Sequence, residues 1–523
     1  METDAAAPRI EAARDTLDKG QLEATIQLSV FAGLGLLLRL AVQIVLAYHF
    51  GAREEVDAYL VALAIPAVLQ ATLEFAINSV LIPLYLNRKH TDQAANQAAL
   101  LDTNLTALLV LLLVLVACGP ALTRPMLNIV MSGLPANTLE LAVQLSPLLW
   151  LTMAGYVLYA LFSSVLQANR AYVLQGIAPL FAPLVTLVCT WTLTRSIGIW
   201  AYAMGGMLGC FAQVLILIPR VWRLWRIRLV IHWPYLTRFL SLSWPLLASG
   251  LLVRATPLLE RSAASDLPVG SISHFGYAYK IIGYLMMVTI SGFSVVLFPS
   301  LSSLSGEMDR FRKLLMDAFY TVLFAFTPVL MIFLLLADLI VRIFLLRGSF
   351  GPSDSIAVSR AIILYGPYAL FAAVGSVIGR GLYALQLTKL ATFLDVLGMG
   401  CYGLLLFAGK GLLGVDGIPT AMSVYYGVFT LLAGWVLLRR VHAIQSDLRL
   451  RSLAKIILAI GGLTATIIVV RAWLVGANAL VTLLLAGGCS LLIYLALCYA
   501  LRVPEVLRLI PHVKRLLSVN AHT

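Results

Sequence analysis

GLGLLLRLAVQIVLAYHFG, residues 33 to 51, is an apolar run long enough to cross a bilayer, and it carries one arginine, Arg39. A hydrocarbon core needs about 20 apolar residues of helix to span it. An arginine at the centre of such a helix costs roughly 2.5 to 3.5 kcal/mol on insertion scales. The stretch therefore reads as a spanning helix with a charge that lipid cannot solvate, which points to a site in a wet, protein-lined cavity.

Working outward, the same apolar pattern recurs along the chain. Of 523 residues, 61% are hydrophobic and 12% charged, too little polar surface for a water-soluble globule. Segments of spanning length fall near 25–49, 56–86, 97–118, 139–167, 171–193, 197–220, 237–262, 271–303, 312–345, 356–385, 387–409, 416–438, 453–473 and 477–501. They are continuously apolar, without the alternation of barrel strands. The expected fold class is an all-α integral membrane protein of about 14 transmembrane helices. The polar start, METDAAAPRIEAARDTLDKGQL, is not a cleavable signal peptide, so the first apolar segment is expected to stay as a membrane helix.

The 37 Lys and Arg outnumber 24 Asp and Glu, giving a formal net charge of +13. Most of this excess sits in short loops: Arg88, Lys89, Arg170, the group Arg220, Arg223, Arg226 and Arg228, then Arg310, Arg312, Lys313, Lys389, Arg439, Arg440, Arg449 and Arg451. The opposite loops offer little beyond Arg53, Arg124, Arg195, Arg347, Lys410 and Arg471. By the positive-inside rule both termini are expected in the cytoplasm of a bacterial inner membrane protein, and nucleic acid is not an expected partner. RVWRLWRIRLVIHW (220–233) reads either as a clamp for anionic headgroups or as a strongly basic flank with interfacial tryptophans.

NSVLIPLYL (78–86) and FSVVLFPSL (293–301) align, and the same shift lays the first segment over the seventh and Arg39 beside Arg254. Such a repeat predicts two pseudo-symmetric six-helix bundles facing a central cavity, with two extra C-terminal helices. The expected organisation is a cytoplasmic tail (1–24), a first bundle (25–220), a basic linker (221–236), a second bundle (237–438), helices 13 and 14 (453–501) and an amphipathic tail (502–523).

FGAREEVDAYLVALAIP (50–66), LLERSAASDLPVGSISHFGYAYKI (258–281), LLRGSF (345–350) and GLYALQLTKLA (381–391) resemble landmarks of the MurJ (MviN) family over roughly residues 25 to 440. The resemblance implies a flippase of the multidrug/oligosaccharidyl-lipid/polysaccharide exporter superfamily, moving a polyprenyl-diphosphate-linked sugar by alternating access; in the type members the cargo is lipid II. It also implies that Asp57 matches the family's loop aspartate, that Lys280 stands where the family has a cavity arginine, and that Glu260 replaces an aspartate. The chain departs from the family at Val42 and Gln43, where an Arg-Asp pair is usual, at Gln70 and Ala71, where basic residues are usual, and at Tyr279.

A diphosphate suits arginine forks and a mobile lysine. Arg39, Arg254 and Lys280 are therefore the candidate diphosphate-binding cations, with Glu74 and Glu260 as counter-charges. Arg380 and Asp395 read as packing or gate residues, and His274 as an interfacial histidine. GLLLFAGKG (403–411) lacks both the spacing and the Ser/Thr of a phosphate-binding loop, the seven histidines lack ligand spacing, and the six cysteines lack a CxxC pair. No enzymatic activity, cofactor or metal is expected.

The altered cation set favours a flippase for an exopolysaccharide or other envelope precursor over one for lipid II, with an ion-coupled exporter of small amphipathic molecules as a different class. Expected partners are the lipid-linked glycan, anionic membrane lipids and envelope-polysaccharide synthesis proteins.

Overall fold

A computed structural model describes residues 7–89, 94–169, 171–225, 228–304, 306–441 and 450–507. No β-strand occurs among them. By its internal contacts the chain divides into two compact units, Met1–Gly270 and Ser271–Thr523.

The first unit contains α1 (Ala7–Phe50), α2 (Glu54–Lys89), α3 (Ala94–Val130), α4 (Ala136–Ala168), α5 (Tyr172–Ile177), α6 (Phe181–Ile197), α7 (Trp200–Leu224), α8 (Trp233–Arg254) and α9 (Thr256–Ala264). The expected N-terminal tail is helical from Ala7 and continuous with the first span. Its Ala, Glu, Arg, Lys and Gln are strong helix formers, which explains the extension. Prolines divide two of the expected segments. Pro179 lies in a 3-10 turn between α5 and α6, and Pro257 opens α9 just after α8 ends. Each ring lacks the N–H that an unbroken helix would use. Pro66 and Pro83 lie inside α2, which continues through both.

The main packing in this unit is α2 on α4, α6 on α7 and α4 on α7, with α8 against α2 and α3. By contact, the seventh segment thus belongs with the first six helices, whereas the sequence repeat would group it with the later ones. Residues 221–236 lie inside this unit, and part of them is fastened to it. Asp102 of α3, 5% exposed, accepts N–H groups from the Trp225 indole (2.8 Å) and the Arg228 backbone (2.8 Å). The Thr103 hydroxyl accepts the backbone N–H of His232 at 3.0 Å. Leu229, Val230, Ile231 and Trp233 remain exposed.

The second unit contains α10 (Ser271–Ser303), α11 (Met308–Leu335), α12 (Ala337–Phe344), α13 (Pro352–Ala384), α14 (Thr388–Leu413), α15 (Gly417–Arg440), α16 (Leu450–Trp473) and α17 (Ala479–Ala500). At the α14–α15 hairpin, a Cβ on Gly417 would lie 2.1 Å from the Gly409 carbonyl oxygen, so the two helices meet there only through glycine. The last two helices pack on α11 and α12 through a core that includes Phe324, Leu336, Ile456, Leu463 and Tyr494. The Tyr494 hydroxyl donates to the Phe324 carbonyl at 3.0 Å. Arg471 donates to both carboxylate oxygens of Asp338, at 3.1 and 2.7 Å, and to the Leu335 carbonyl at 2.8 Å.

Twelve helical stretches among the described residues are long and apolar enough to cross a membrane, against the fourteen expected. Two places account for the difference. The stretch Lys389–Arg440 contains both α14 and α15, and Ser271–Ser303 is not among the twelve. Of the amphipathic tail, residues 508–523 lie outside the described residues, as does Arg226 of the basic linker.

Candidate functional site

The charged residues of the spans do not all come together. In the first unit, four helices bring polar groups to one neighbourhood inside the apolar spans. On α2, Gln70 donates to Glu74 across one helical turn at 3.1 Å, a spacing that places both side chains on one face. Arg254, at the end of α8, lies over the Phe75 ring at 4.3 Å and within electrostatic reach of Glu74. Gly250 permits this approach: a Cβ there would come within 3.3 Å of both Thr72 Cγ2 and Arg254 Nη1.

Arg39 of α1 and Glu74 both act electrostatically on Tyr156 and Tyr159 of α4. Among the described residues no ion pair joins Arg39 to Glu74. Arg254 thus lies within reach of Glu74, and Arg39 reaches the same two tyrosines of α4 as Glu74 does. At an effective dielectric of about 20, unit charges 4 Å apart interact by about 4 kcal/mol, so an anion entering this neighbourhood gains substantially from it. Further along α2 and α4, the Ser164 hydroxyl donates to the Asn78 side-chain oxygen at 2.7 Å, fixing the two helices against each other.

The other candidates lie elsewhere. Asp57, in the first turn of α2, is 4% exposed, and its carboxylate accepts the Gly270 backbone N–H at 2.6 Å. Its visible work is to hold the end of the first unit to the start of α2. Glu260 is 7% exposed on α9 and interacts with Arg261, which also acts on Tyr59. Lys280 belongs to α10 of the second unit, next in sequence to Tyr279, whose ring stacks on Tyr368 with centroids 6.0 Å apart. His274 Nε2 lies 2.9 Å from Asp354 Oδ1, and Asp354 also accepts the Gly351 N–H, so that pair fastens α10 to the start of α13. Arg380 turns back to its own helix, donating to the Ser376 carbonyl at 3.3 Å.

Two residues of the neighbourhood were missed in the sequence. Tyr156 and Tyr159 sit three apart in AGYVLYALFSS, so both hydroxyls lie on one face of α4. That spacing was the available signal. Val42 and Gln43 are buried, and Gln43 hydrogen-bonds Tyr202, whose ring lies 4.6 Å from that of Tyr59. Gln43 and two tyrosines thus stand together where the family resemblance implies an Arg-Asp pair.

The family model described as Lipid II flippase MurJ matches residues 46–485. The chain belongs to the MurJ family. A probable lipid II flippase MurJ of Bdellovibrio bacteriovorus is 23% identical over 429 residues, covering 79% of this chain and 82% of the relative. A lipid II flippase MurJ of Burkholderia cenocepacia is 24% identical over 421 residues, covering 74% and 81%. Among solved structures, a lipid II flippase MurJ in an inward closed conformation superposes with a TM-score of 0.77 at 20% identity, covering 93% of this chain and all of that one. An inward-facing multidrug resistance MATE family transporter gives a TM-score of 0.67 at 15% identity, covering 80% and 98%. The fold is thus that of the MurJ and MATE transporters, as the resemblance in the sequence implied.

Proposed function

We propose that this protein is a flippase that carries a polyprenyl-diphosphate-linked saccharide across the bacterial inner membrane by alternating access, with lipid II as its cargo. The observation that supports the reading is the presence of Arg39 and Arg254, with Glu74, within the spanning helices of a MurJ-family chain. Arginine forks bind phosphate oxygens bidentately. Glu74 keeps the empty site from holding its anion too tightly, because affinity that is equal in both access states does not drive release. Lys280, on α10 of the second unit, is a separate candidate cation that the family resemblance marks.

The departures at Val42, Gln43, Gln70, Ala71 and Tyr279 ranked an exopolysaccharide precursor above lipid II. The relatives favour the reverse order, since the MurJ proteins matched are lipid II flippases. The discriminating experiment is complementation. Expressed in a strain depleted of its own lipid II flippase, this chain is expected to restore growth, whereas Arg39→Gln at equal membrane abundance is not. Absence of rescue by the wild-type chain, correctly inserted, would return the cargo to an envelope glycan other than lipid II. Rescue by Arg39→Gln equal to wild type would remove Arg39 from the site.

A further inference from the structure

The second unit has polar chemistry of a different kind. Tyr279 of α10, Tyr368 of α13, Tyr426 and Tyr425 of α15 and Tyr402 of α14 form a continuous run of ring contacts. Centroids are 6.0 Å apart for Tyr279–Tyr368, 4.6 Å for Tyr368–Tyr426, 5.0 Å for Tyr426–Tyr425 and 5.2 Å for Tyr425–Tyr402. Beside this run is a cavity of about 360 Å³, a size within the range of about 300 to 1,000 Å³ typical of small-ligand sites. Tyr368, Tyr383, Tyr425, Tyr426, Ser376 and Asp395 are among the residues that line it.

No lysine or arginine lines the cavity among the described residues, and Asp395 repels anions. A diphosphate therefore does not fit. A purely apolar chain would meet several hydroxyls and a carboxylate. The lining instead sets hydroxyl and carboxylate oxygens among aromatic faces and aliphatic groups such as Leu382 and Leu394, and tyrosine supplies such amphipathic surface at low conformational cost. A sugar ring has the matching character, with C–H faces to lie on the rings and hydroxyl edges to bond the oxygens.

We propose that this cavity is a saccharide subsite, taking an uncharged sugar ring of the lipid-linked cargo. The proposal rests on the flippase reading above and adds the part of the cargo that the second unit recognises. Asp395 accepts hydrogen bonds from sugar hydroxyls, and the Tyr383 and Tyr426 hydroxyls bond the ring's edge.

The test uses the full-length protein in lipid nanodiscs and three probes: undecaprenyl diphosphate, the same lipid carrying an N-acetylated disaccharide, and the organic cation tetraphenylphosphonium. Binding is read by native mass spectrometry. Tyr383→Phe and Tyr426→Phe, which keep the ring, are each expected to weaken the glycosylated lipid about fivefold, the factor set by one neutral hydrogen bond, and to leave the bare lipid unchanged. Arg39→Gln is expected to weaken both lipids alike. Equal effects of the tyrosine variants on both lipids, or no effect on either, overturn the saccharide subsite and leave the flippase reading intact. Tetraphenylphosphonium binding that is lost in Asp395→Asn, with the glycosylated lipid unaffected, overturns it in favour of a cation site. Failure of the wild-type protein to bind either lipid overturns the flippase reading and the subsite together.

Discussion

Around Glu74 the first unit gathers charged groups among its spanning helices, whereas around Tyr368 the second gathers hydroxyls and aromatic rings. In the first unit, Arg254 of α8 acts on Glu74, and Arg39 of α1 acts together with Glu74 on Tyr156 and Tyr159. In the second unit, five tyrosines from four helices touch in sequence, and among the described residues one carboxylate, Asp395, lines the cavity beside them. The difference teaches that anions and neutral polyols ask for unlike surroundings. An anion needs mobile positive charge in a low-dielectric setting, whereas a neutral polyol needs rigid surface and fixed hydrogen-bonding groups. Polar chemistry of both kinds inside a membrane protein is tolerable only where it faces protein or water.

The contrast can be broken most decisively at the arginines. Arg39→Gln combined with Arg254→Gln is expected to lower affinity for undecaprenyl diphosphate on the order of 100-fold or more, since each charge-assisted bond is worth about 1.5 to 3 kcal/mol. Unchanged binding of the bare lipid by the double variant would erase the distinction between the units. Glu74→Gln acts in the opposite direction. Removal of the one carboxylate should tighten the same lipid about tenfold, or about 1.4 kcal/mol, and slow its release in a flipping assay. Weaker binding would mean that Glu74 orients the arginines and does not oppose the anion.

Asp102 supplies a carboxylate of the first unit that is already engaged by protein N–H groups. Asp102→Leu strands the Trp225 and Arg228 donors and should destabilise the full-length protein by about 2 kcal/mol, read as a lower thermal midpoint in detergent, without specific loss of lipid affinity. Asp102→Asn keeps the accepting oxygen and is expected to cost less. The smallest effect is expected at Arg471 of the second unit. Its side chain is 38% exposed and pairs with Asp338, 54% exposed. Arg471→Met should change stability by less than about 1 kcal/mol and leave diphosphate binding unaltered. A large loss of binding there would move the anion site away from Arg39.

Much of the architecture was legible because spanning helices announce themselves by length and continuous apolarity. The segments near 453–473 and 477–501 correspond closely to α16 and α17. Less legible were the breaks near Pro179 and Pro257, because Pro66 and Pro83 sit in equally apolar sequence without interrupting α2. Arg39 and Arg254 stood out because lipid tolerates neither. The approach of Arg254 to Glu74 and Phe75 depends on α8 packing against α2 at Gly250, which no local pattern encodes.

Asp57 shows the other limit. Its N–H donor, Gly270, is 213 residues away, so the family resemblance marked the carboxylate without revealing what it holds. The tyrosine run was invisible for a related reason. Tyr279, Tyr368, Tyr402 and the pair Tyr425–Tyr426 each look like an ordinary amphipathic residue of a spanning helix until four helices bring them together.

The fastening of 228–233 to α3 bears on where the protein floats. Leu229, Val230, Ile231 and Trp233 form a short exposed row whose backbone is pinned at Arg228 and His232. Tryptophan and aliphatic side chains settle at the boundary between acyl chains and headgroups. A row so pinned to its neighbouring helix is expected to act as a waterline for the first unit and so to set the height in the bilayer of Arg39.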